Sequence, residues 1–516
     1  MSASLRASRP PAPAAGMAGA DRPVGRQVLV IGAGLGGLAA AIRLRHQGYE
    51  VTILERHAVP GGRCGLWESE GFRFDTGPTL LLMIEYLQAL FRDVGRPLEA
   101  YLDLVQLDPN YRVHYADGRT LDVTSRLNAM LREVERVEPG SGPRLLRFLA
   151  ATSQLYRVGL DGFVDRNVHH RRDFLSLRNA ALLVRGGAMR RLDRMVARFF
   201  ASDELRNTFS FQSLYLGLSP FAAPAIYGLL PYAEIAGGLY FPLGGMHALP
   251  RALARLATEL GVRIRYGTDV AALERAQDRI SAVRLADGTR LPADLVLANA
   301  DLPYVYQTLL GEPHPRAARF GYSCSAFLMY LGVRGRYPDL PHHTLVVPAD
   351  LRSACADIFS RHRIPDLPPY YICNPNKSDP SLAPVGCENL YVLVPVPSRA
   401  QGEEIDWAAE GPRLEQAMLA RLERFGLPGL RDRVITSRTF TPADFATWFS
   451  ATRGEAFGLA HGLDQVGYLR PHNRHQAYRN LYFVGQSTHP GCGVPMVLIS
   501  ARLTAERMVG EQGIPR

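Results

Sequence analysis

Lysine is almost missing from this 516-residue sequence, in which Lys377 is the single example. Arginine therefore carries nearly all of the positive charge, and the formal net charge is +10. Such an excess favours contact with an anionic partner, either a membrane surface or a nucleic acid. Zinc-finger spacings and the aromatic signature of RNA-binding modules are both absent from the sequence. We therefore predict no nucleic-acid partner, which leaves an anionic membrane surface.

Paired cysteines and a secretory signal are also absent. The six cysteines contain no C-x-x-C pair, which argues against a metal cluster or a disulfide framework and fits a reducing compartment. We accordingly predict no metal site and a cytoplasmic protein. Residues 1–25 hold no apolar run of the kind that a secretory signal needs. The lack of acids before Asp21 resembles a transit peptide, but the proline content favours a disordered tail.

The first motif has the order strand, glycine turn, helix, strand and acid. Gly32, Gly34 and Gly37 follow an apolar strand with the Gly-x-Gly-x-x-Gly spacing. The first glycine permits a tight turn, the second lets a pyrophosphate approach the backbone, and the third lets the helix pack closely on the sheet. Glu55 ends the next apolar strand, where a carboxylate accepts hydrogen bonds from ribose hydroxyls, and Arg56 follows it. The motif predicts a dinucleotide-binding βαβ unit.

A second glycine-rich loop follows this unit at Gly61, Gly62 and Arg63. The double glycine can bring backbone N–H groups onto a phosphate, and Arg63 can add a charge-assisted hydrogen bond. Downstream, Asp75 can either cap a turn or face the ring of a cofactor, and the residues leave both roles open.

These motifs resemble the flavin amine oxidase-like superfamily and, within it, the bacterial-type carotenoid (phytoene) desaturases. Further landmarks of that family follow in order: His342-His-Thr, Asp379-Pro-Ser-Leu-Ala-Pro384, Phe440-Thr-Pro-Ala-Asp-Phe445 and Arg470-Pro-His-Asn-Arg474. The resemblance runs from about residue 26 to 510. It implies non-covalently bound FAD and an α/β fold. A Rossmann-like FAD-binding domain, discontinuous in sequence, is expected beside an α+β substrate domain with a helical, membrane-facing part.

The resemblance also implies a division of the chain. The FAD-binding domain is expected from residues 26–95, 238–310 and 475–516, with a helical, membrane-associated substrate region at 96–237 and an α+β substrate-binding region at 311–474. In this family the backbone at Val270 meets the adenine end of FAD. A glycine-rich loop and a helix start face the flavin, and they contain Gly485, Gly493, Val494, Pro495 and Met496. The positive end of that helix stabilises the anionic reduced ring.

A basic stretch at residues 171–200 has a net charge of +6. Its charged residues are Arg171, Arg172, Asp173, Arg178, Arg185, Arg190, Arg191, Asp193, Arg194 and Arg198. Apolar residues interleaved with them suit either a helix on an anionic bilayer or an ordinary amphipathic surface helix. An insoluble lipid substrate favours the bilayer.

The stretch from Asn207 to Ala233 carries no charge. Its length could span a bilayer, but three prolines, Gln212 and four Ser/Thr residues argue against one continuous helix. We predict a buried helix or the wall of a long apolar cavity. Any membrane contact is then peripheral.

Desaturation removes a hydride and a proton from adjacent carbons, and the cofactor accepts the hydride. Because allylic carbons delocalise the positive charge left behind, the need for a strong base is smaller. Candidate polar residues are Asp75, Glu234 and Tyr240. The pair Asp173 and Arg178 is another candidate, since the family has an Asp/Arg pair as a proposed acid/base, although the Asp-x-x-Arg spacing is not kept.

The resemblance implies FAD-dependent desaturation of a lipophilic carotenoid precursor, foremost phytoene, to zeta-carotene, neurosporene or lycopene. The enzyme is expected at the cytoplasmic side of the cell membrane, with a quinone or oxygen as electron acceptor. Three alternatives stay open. One is a hydroxycarotenoid 3,4-desaturase, ketolase or aldehyde-forming enzyme; the others are a flavin amine oxidase and a non-enzymatic FAD-binding carrier of a geranylgeranyl-type lipid.

Overall fold

The computed structural model describes residues 26–167, 190–399 and 405–515. The predicted tail, the candidate pair Asp173 and Arg178, and most of the basic stretch at 171–200 lie outside these ranges. Within them the chain has a mixed α/β fold, as predicted. No helix of the described part is long and apolar enough to cross a membrane.

Strands and helices follow one another throughout the described ranges. The strands are β1 Gln27–Ile31, β2 Glu50–Leu54, β3 Leu66–Ser69, β4 Phe72–Asp75, β5 Leu104–Gln106, β6 Tyr111–His114, β7 Thr120–Val123, β8 Tyr240–Pro242, β9 Arg263–Arg265, β10 Val270–Ala276, β11 Arg279–Leu285, β12 Arg290–Pro292, β13 Leu295–Ala298, β14 Ser325–Arg334, β15 His343–Val346, β16 Tyr370–Cys373, β17 Cys387–Val396, β18 Val434–Phe440 and β19 Leu481–Phe483. The α-helices are α1 Leu35–His46, α2 Glu85–Asp93, α3 Leu127–Val137, α4 Gly142–Gly159, α5 Leu192–Val196, α6 Asp203–Thr208, α7 Leu229–Gly237, α8 Ala248–Glu259, α9 Leu302–Tyr304, α10 Leu351–Phe359, α11 Trp407–Phe425, α12 Leu430–Arg433, α13 Pro442–Phe449 and α14 Val494–Gln512. Short 3₁₀ and π-helical segments connect several of them.

A five-stranded parallel sheet has the order β19–β13–β1–β2–β9. Alternate residues of β1 pack on opposite faces, since successive side chains of a strand point to opposite sides. Val28 and Val30 join the cluster that holds α1, α8 and α14, while Leu29 and Ile31 join the one that holds β10 and β11. Burying one such side chain stabilises the fold by roughly 1.5–3 kcal/mol.

The strands of this parallel sheet come from three separate parts of the chain. β1 and β2 lie near the start, β9 and β13 in the middle, and β19 close to the end. The predicted βαβ unit is present, because β1 and β2 pair in parallel and α1 connects them. All four residues of β13 (Leu295–Ala298) are buried.

A second sheet has seven strands in the order β18–β14–β17–β16–β15–β6–β7. On one face of β14, Phe327 and Met329 pack with residues of α11. On the other face, Ala326 and Leu328 pack with the β3–β4 hairpin and α13. The neighbouring strands β14 and β17 pair antiparallel along the whole of both strands.

The hairpin β6–β7 lies within residues 96–237, the region expected to be helical and membrane-associated. It forms around a turn at Asp117 and Gly118. However, β6 also pairs in parallel with β15, so this part of residues 96–237 completes the second sheet. A two-stranded hairpin is marginal by itself and gains stability by joining a larger sheet. Because β6 and β15 lie far apart in the chain, local sequence patterns do not reveal their pairing.

The uncharged stretch does not form one helix. It runs from the end of α6 through 3₁₀ segments at Phe211–Leu216 and Ala225–Gly228 into α7. This agrees with the predicted absence of a continuous spanning helix.

Candidate functional site

A cavity of about 830 Å³ is lined by both sheets. From the parallel sheet it takes residues at the carboxyl ends of β1, β2, β13 and β19. Ligands of parallel α/β sheets bind at this edge, because the loops that follow the strands converge there. The second sheet contributes residues of β14 to β17.

The first half of the cavity gathers the sequence-predicted cofactor residues. Thirteen of the fourteen line it: Gly32, Gly34, Glu55, Arg56, Gly61, Gly62, Arg63, Val270, Gly485, Gly493, Val494, Pro495 and Met496. Gly37 is the exception. A Cβ atom at Gly37 would lie 2.2 Å from the backbone oxygen of Gly32, so this glycine lets α1 approach the preceding turn. The contacts of these fourteen residues with a cofactor remain predictions.

The Asn299 side chain packs against several of the glycines in this half. It follows β13, and its side-chain Nδ2 donates to the backbone oxygen of Gly32 at 3.3 Å. A Cβ atom at Gly34 would lie 2.9 Å from Nδ2, and one at Gly36 would lie 2.8 Å from Oδ1. The sequence analysis missed Asn299, although a polar residue at the carboxyl end of a buried strand was an available signal.

The Glu55 carboxylate is held in a fixed position. It is 4% exposed, its Oε2 accepts from the backbone N–H of Ala33 at 2.7 Å, and its Oε1 accepts from that of His57 at 2.9 Å. A carboxylate has about four lone-pair positions, so both oxygens can accept further hydrogen bonds.

Two helix N-termini line the same half. Gly34 precedes α1 and Gly493 precedes α14, and neither helix has a side-chain cap. The first N–H groups of a helix have no partner within the helix, and the helix dipole makes this end positive. The two ends therefore suit an anionic group.

Arg63 is paired with a buried acid. Its Nη2 lies 3.4 Å from Oε1 of Glu455, which is fully buried. Burial raises the pKa of Glu455 well above its usual value, nearby Asp301 raises this pKa further, and the Arg63 charge lowers it. The buried Nε of Arg63 has no hydrogen-bond partner among the described residues. The guanidinium can therefore still donate to a ligand.

Arg470 holds the loop after β19 through hydrogen bonds to its backbone. Its side chain is fully buried, its Nη2 donates to the backbone oxygen of Gln486 at 2.6 Å, and its Nε donates to that of Thr488 at 3.0 Å. Burial lowers the pKa of Arg470 to about 10. The sequence analysis did not assign it to the site, because the chain gives no local sign that this arginine is buried.

The second half of the cavity is apolar. The uncharged stretch contributes Phe211, Leu214, Tyr215, Leu216, Ile226, Tyr227, Leu229 and Leu230, and the second sheet contributes Ala326, Leu328, Leu345, Tyr371, Tyr391 and Leu393. Among the described lining residues, the Asp, Glu and Arg side chains are Glu55, Arg56, Arg63, Asp269 and Asp301. All five belong to the loops that follow strands of the parallel sheet or, for Asp269, to the residue before β10. The expected apolar wall is thus present.

Asp75 caps a turn, which is one of its two predicted roles. Its Oδ2 accepts from the backbone N–H of Met246 at 2.7 Å and its Oδ1 from that of His247 at 2.9 Å. Burial raises the pKa of Asp75 to about 6, and the two backbone hydrogen bonds oppose this shift. Asp75 is not among the described lining residues. This geometry favours a structural role over the alternative in which Asp75 faces the cofactor.

Glu234 and Tyr240 also lie away from the wall of the cavity. Glu234 is fully buried, and its Oε2 accepts from the Tyr111 hydroxyl at 2.8 Å and from Nε2 of Gln212 at 3.2 Å. Burial raises the pKa of Glu234 to about 7. Tyr240 pairs through its backbone with Leu81. The described catalytic candidates are therefore not brought together.

Three titratable residues do line the cavity near the loop after β19: His461, His489 and Cys492. Burial lowers the pKa of His489 to about 4, lowers that of His461 well below its usual value, and raises that of Cys492 to about 11. All three are therefore neutral near pH 7.

The model of the family described as flavin containing amine oxidoreductase matches residues 35–509. The chain belongs to this family. It is 46% identical to a zeta-carotene-forming phytoene desaturase of Myxococcus xanthus, with 94% of each chain covered. It is 38% identical to a lycopene-forming phytoene desaturase of Pseudescherichia vulneris, over 94% of this chain and 99% of the relative. These matches also assign it to the bacterial carotenoid desaturases.

Solved structures support the fold. A putrescine oxidase bound to putrescine has a TM-score of 0.61 at 14% identity, with 94% of this chain and 99% of that chain covered. The family description implies a flavin cofactor. The uncapped helix ends, the close-packed glycines and the fixed Glu55 carboxylate fit such a group.

Proposed function

We propose that this protein is an FAD-dependent desaturase of a carotenoid precursor, foremost phytoene. The observation that carries the proposal is the continuous cavity, which joins a nucleotide-type half to an apolar half without charged side chains among its described lining residues. A hydrocarbon bound in the apolar half can therefore reach the cofactor without contacting a charged side chain of these residues. The similarity to phytoene desaturases of Myxococcus xanthus and Pseudescherichia vulneris supports the same substrate class.

The first half is suited to FAD. We propose that Glu55 accepts hydrogen bonds from the adenosine ribose, while the N-terminus of α1 and the Gly61–Gly62 loop bind the pyrophosphate. The N-terminus of α14 then faces the flavin. Gln486 supports this orientation, because it lines the cavity and its buried Nε2 has no partner among the described residues. That amide can donate to an oxygen of the ribityl chain or the flavin.

When bound, FAD supplies the hydride acceptor. The residues of the second half orient the polyene and exclude water, and the neutral side chains of His461 and His489 also line the cavity. The allylic carbons of the substrate delocalise positive charge, which is compatible with an apolar half whose described lining residues include no carboxylate.

A flavin amine oxidase is the less favoured alternative. An amine substrate is cationic, and a buried cation needs a partner. The apolar half offers no carboxylate among its described lining residues. We further propose that the protein binds peripherally to an anionic membrane surface, which supplies the insoluble substrate. A quinone then accepts the electrons.

The test is to express the chain in a phytoene-accumulating host and to separate the pigments by chromatography with absorption detection. Longer-wavelength polyenes are the expected products, and their spectra count the double bonds introduced. The purified flavoprotein, mixed anaerobically with phytoene in liposomes, should lose its oxidised-flavin absorption. A chain that binds FAD but causes neither change would refute the proposal.

A matched pair of variants locates the substrate. Ile226 lines the apolar half, whereas Leu127 is 45% exposed on α3. Ile226→Arg should abolish pigment formation while the flavin stays bound, because a cation then meets the hydrocarbon. Leu127→Arg should leave pigment formation unchanged. Equal activity of the two variants would contradict the assignment of this half to the substrate.

A further inference from the structure

Three potential metal ligands meet at the edge where β15 and β16 pair. His343 starts β15 and stands opposite Cys373, the last residue of the antiparallel neighbour β16. His342 precedes His343, and the two imidazole rings are 4.3 Å apart between centroids. One ligand atom from each of the three side chains lies within 4.8 Å of the other two.

All three side chains are buried, and two of their atoms lack partners. His342 is 6% exposed, His343 is fully buried, and Cys373 is 2% exposed. The Nε2 atoms of both histidines have no hydrogen-bond partner among the described residues. A buried polar atom without a hydrogen-bond partner is energetically unfavourable. Two such atoms, on rings whose centroids are 4.3 Å apart, indicate that a partner is missing from this cluster.

The other nitrogen of each ring is already engaged. Nδ1 of His342 lies 2.7 Å from the Ser378 hydroxyl, and Nδ1 of His343 lies 2.6 Å from the Tyr371 hydroxyl. The Tyr371 hydroxyl is also 2.8 Å from Oγ1 of Thr79 and can donate to it. Nδ1–H of His343 can then donate to the tyrosine oxygen, which leaves a lone pair on Nε2. Metal-binding histidines are commonly oriented in this way by a hydrogen bond to their second nitrogen.

We propose that His342, His343 and Cys373 bind one metal cation of the Zn²⁺ type. Two imidazoles and one thiolate are a borderline-soft donor set that Zn²⁺ accepts in tetrahedral geometry, with a water molecule as the fourth ligand. Binding converts the Cys373 thiol into a thiolate and releases its proton to solvent. The site would tie β15 to β16 behind Tyr371, which lines the apolar half of the cavity.

This site differs from the one sought by cysteine spacing. The sequence analysis predicts no metal site because the chain has no C-x-x-C pair. The proposed ligands are instead brought together by the pairing of two strands, which places His343 opposite Cys373. The site does not depend on the proposed desaturase function.

The experiment uses the full-length flavoprotein. The protein is dialysed against Zn²⁺, passed over a desalting column, and analysed for metal content by mass spectrometry. A parallel sample is loaded with Co²⁺, whose bond to a thiolate gives a charge-transfer absorption in the near ultraviolet. We expect close to one metal ion per chain and a clear Co²⁺–thiolate band.

Two variants and one matched control identify the ligands. Cys373→Ser should abolish the Co²⁺–thiolate band, and His343→Gln should lose most of the bound metal. Cys355→Ser replaces another buried cysteine outside the cluster and should behave like the wild type. Flavin absorption and thermal unfolding report whether each variant is folded.

Two results would overturn the proposal. One is folded, flavin-loaded wild-type protein that retains no more metal than His343→Gln. The other is a Co²⁺–thiolate band that survives in Cys373→Ser. If Cys373→Ser does not fold, the Co²⁺ spectra of the wild type and of Cys355→Ser decide. A Co²⁺–thiolate band in both proteins supports the site, and a wild-type spectrum without this band refutes it.

Discussion

Replacing Glu234 with glutamine should make the protein more stable at neutral and basic pH. The Glu234 carboxyl is fully buried, and burial raises its pKa from 4.5 to about 7. Only its Oε2 has partners, the Tyr111 hydroxyl and the Gln212 amide, while its Oε1 has none among the described residues. A glutamine oxygen can accept the same two hydrogen bonds, so Glu234→Gln imitates the protonated acid at every pH.

The sign and size follow from proton linkage. Between pH 4.5 and about 7 the folded state holds a proton at Glu234 that the unfolded chain has lost, so the free energy of unfolding falls as pH rises through this window. The difference between the two pKa values corresponds to about 3 kcal/mol of unfolding free energy. This contribution is present below pH 4.5 and has been lost once the pH exceeds about 7. With about 2.1 cal/mol/K of unfolding entropy per residue, 516 residues give a Tm change of about 3 °C.

The assay is thermal unfolding of both proteins between pH 5 and pH 8. The Tm of Glu234→Gln minus that of the wild type should increase by about 2 °C across this range, since part of the full effect falls below pH 5. Asp75, whose pKa burial raises to about 6, adds a slope of the same sign to both proteins and cancels in the difference. Glu99→Gln, at an exposed position, is the control and should give a constant difference. A flat difference for Glu234→Gln as well would refute a buried, protonated Glu234.

Three further predictions concern packing and accessibility. Gly37→Ala should destabilise the protein by about 1–3 kcal/mol and lower its flavin content, because the new Cβ meets the Gly32 backbone oxygen; Gly510→Ala, at an open and exposed position of α14, should instead stabilise it by about 0.5–1 kcal/mol in chemical unfolding. Arg470→Lys should loosen the loop after β19 and speed flavin dissociation, measured by fluorescence, since a lysine cannot donate to the same carbonyls in a planar fork. Iodoacetamide should label Cys387 first in the native protein, as mass spectrometry of peptides can verify, because the other five cysteines are buried.

The glycine turn and the buried acid after β2 were predictable because their signals are local. The Gly-x-Gly-x-x-Gly spacing reports steric limits of one turn, and the structure does bring Gly37 against the Gly32 oxygen. Glu55 is recognisable because it directly follows the apolar strand that comes after the helix. These features depend on residues that are close neighbours in the chain, so the sequence contains what is needed.

Residues that act through long-range contacts were not predictable in the same way. Nothing near Arg470 indicates that it is fully buried beneath the loop after β19. Asp75 and Glu234 carry the residue type expected of a catalytic base, but the turn at Met246 and the hydroxyl of Tyr111 engage them elsewhere. Residue type identifies a candidate, whereas the surrounding elements decide its role.

The two halves of the cavity should also respond differently to substitution. The nucleotide half is formed by backbone atoms and glycines, where a single added Cβ meets main-chain atoms, as at Gly37. The apolar half is formed by the side chains of residues such as Ile226, Leu230 and Leu393. A larger side chain at one of these positions can be compensated by a smaller one at another. Substitutions of similar volume in the apolar half can therefore change the length or shape of the polyene that fits while the flavin stays bound. Related desaturases with different products can arise in this way from one cofactor site.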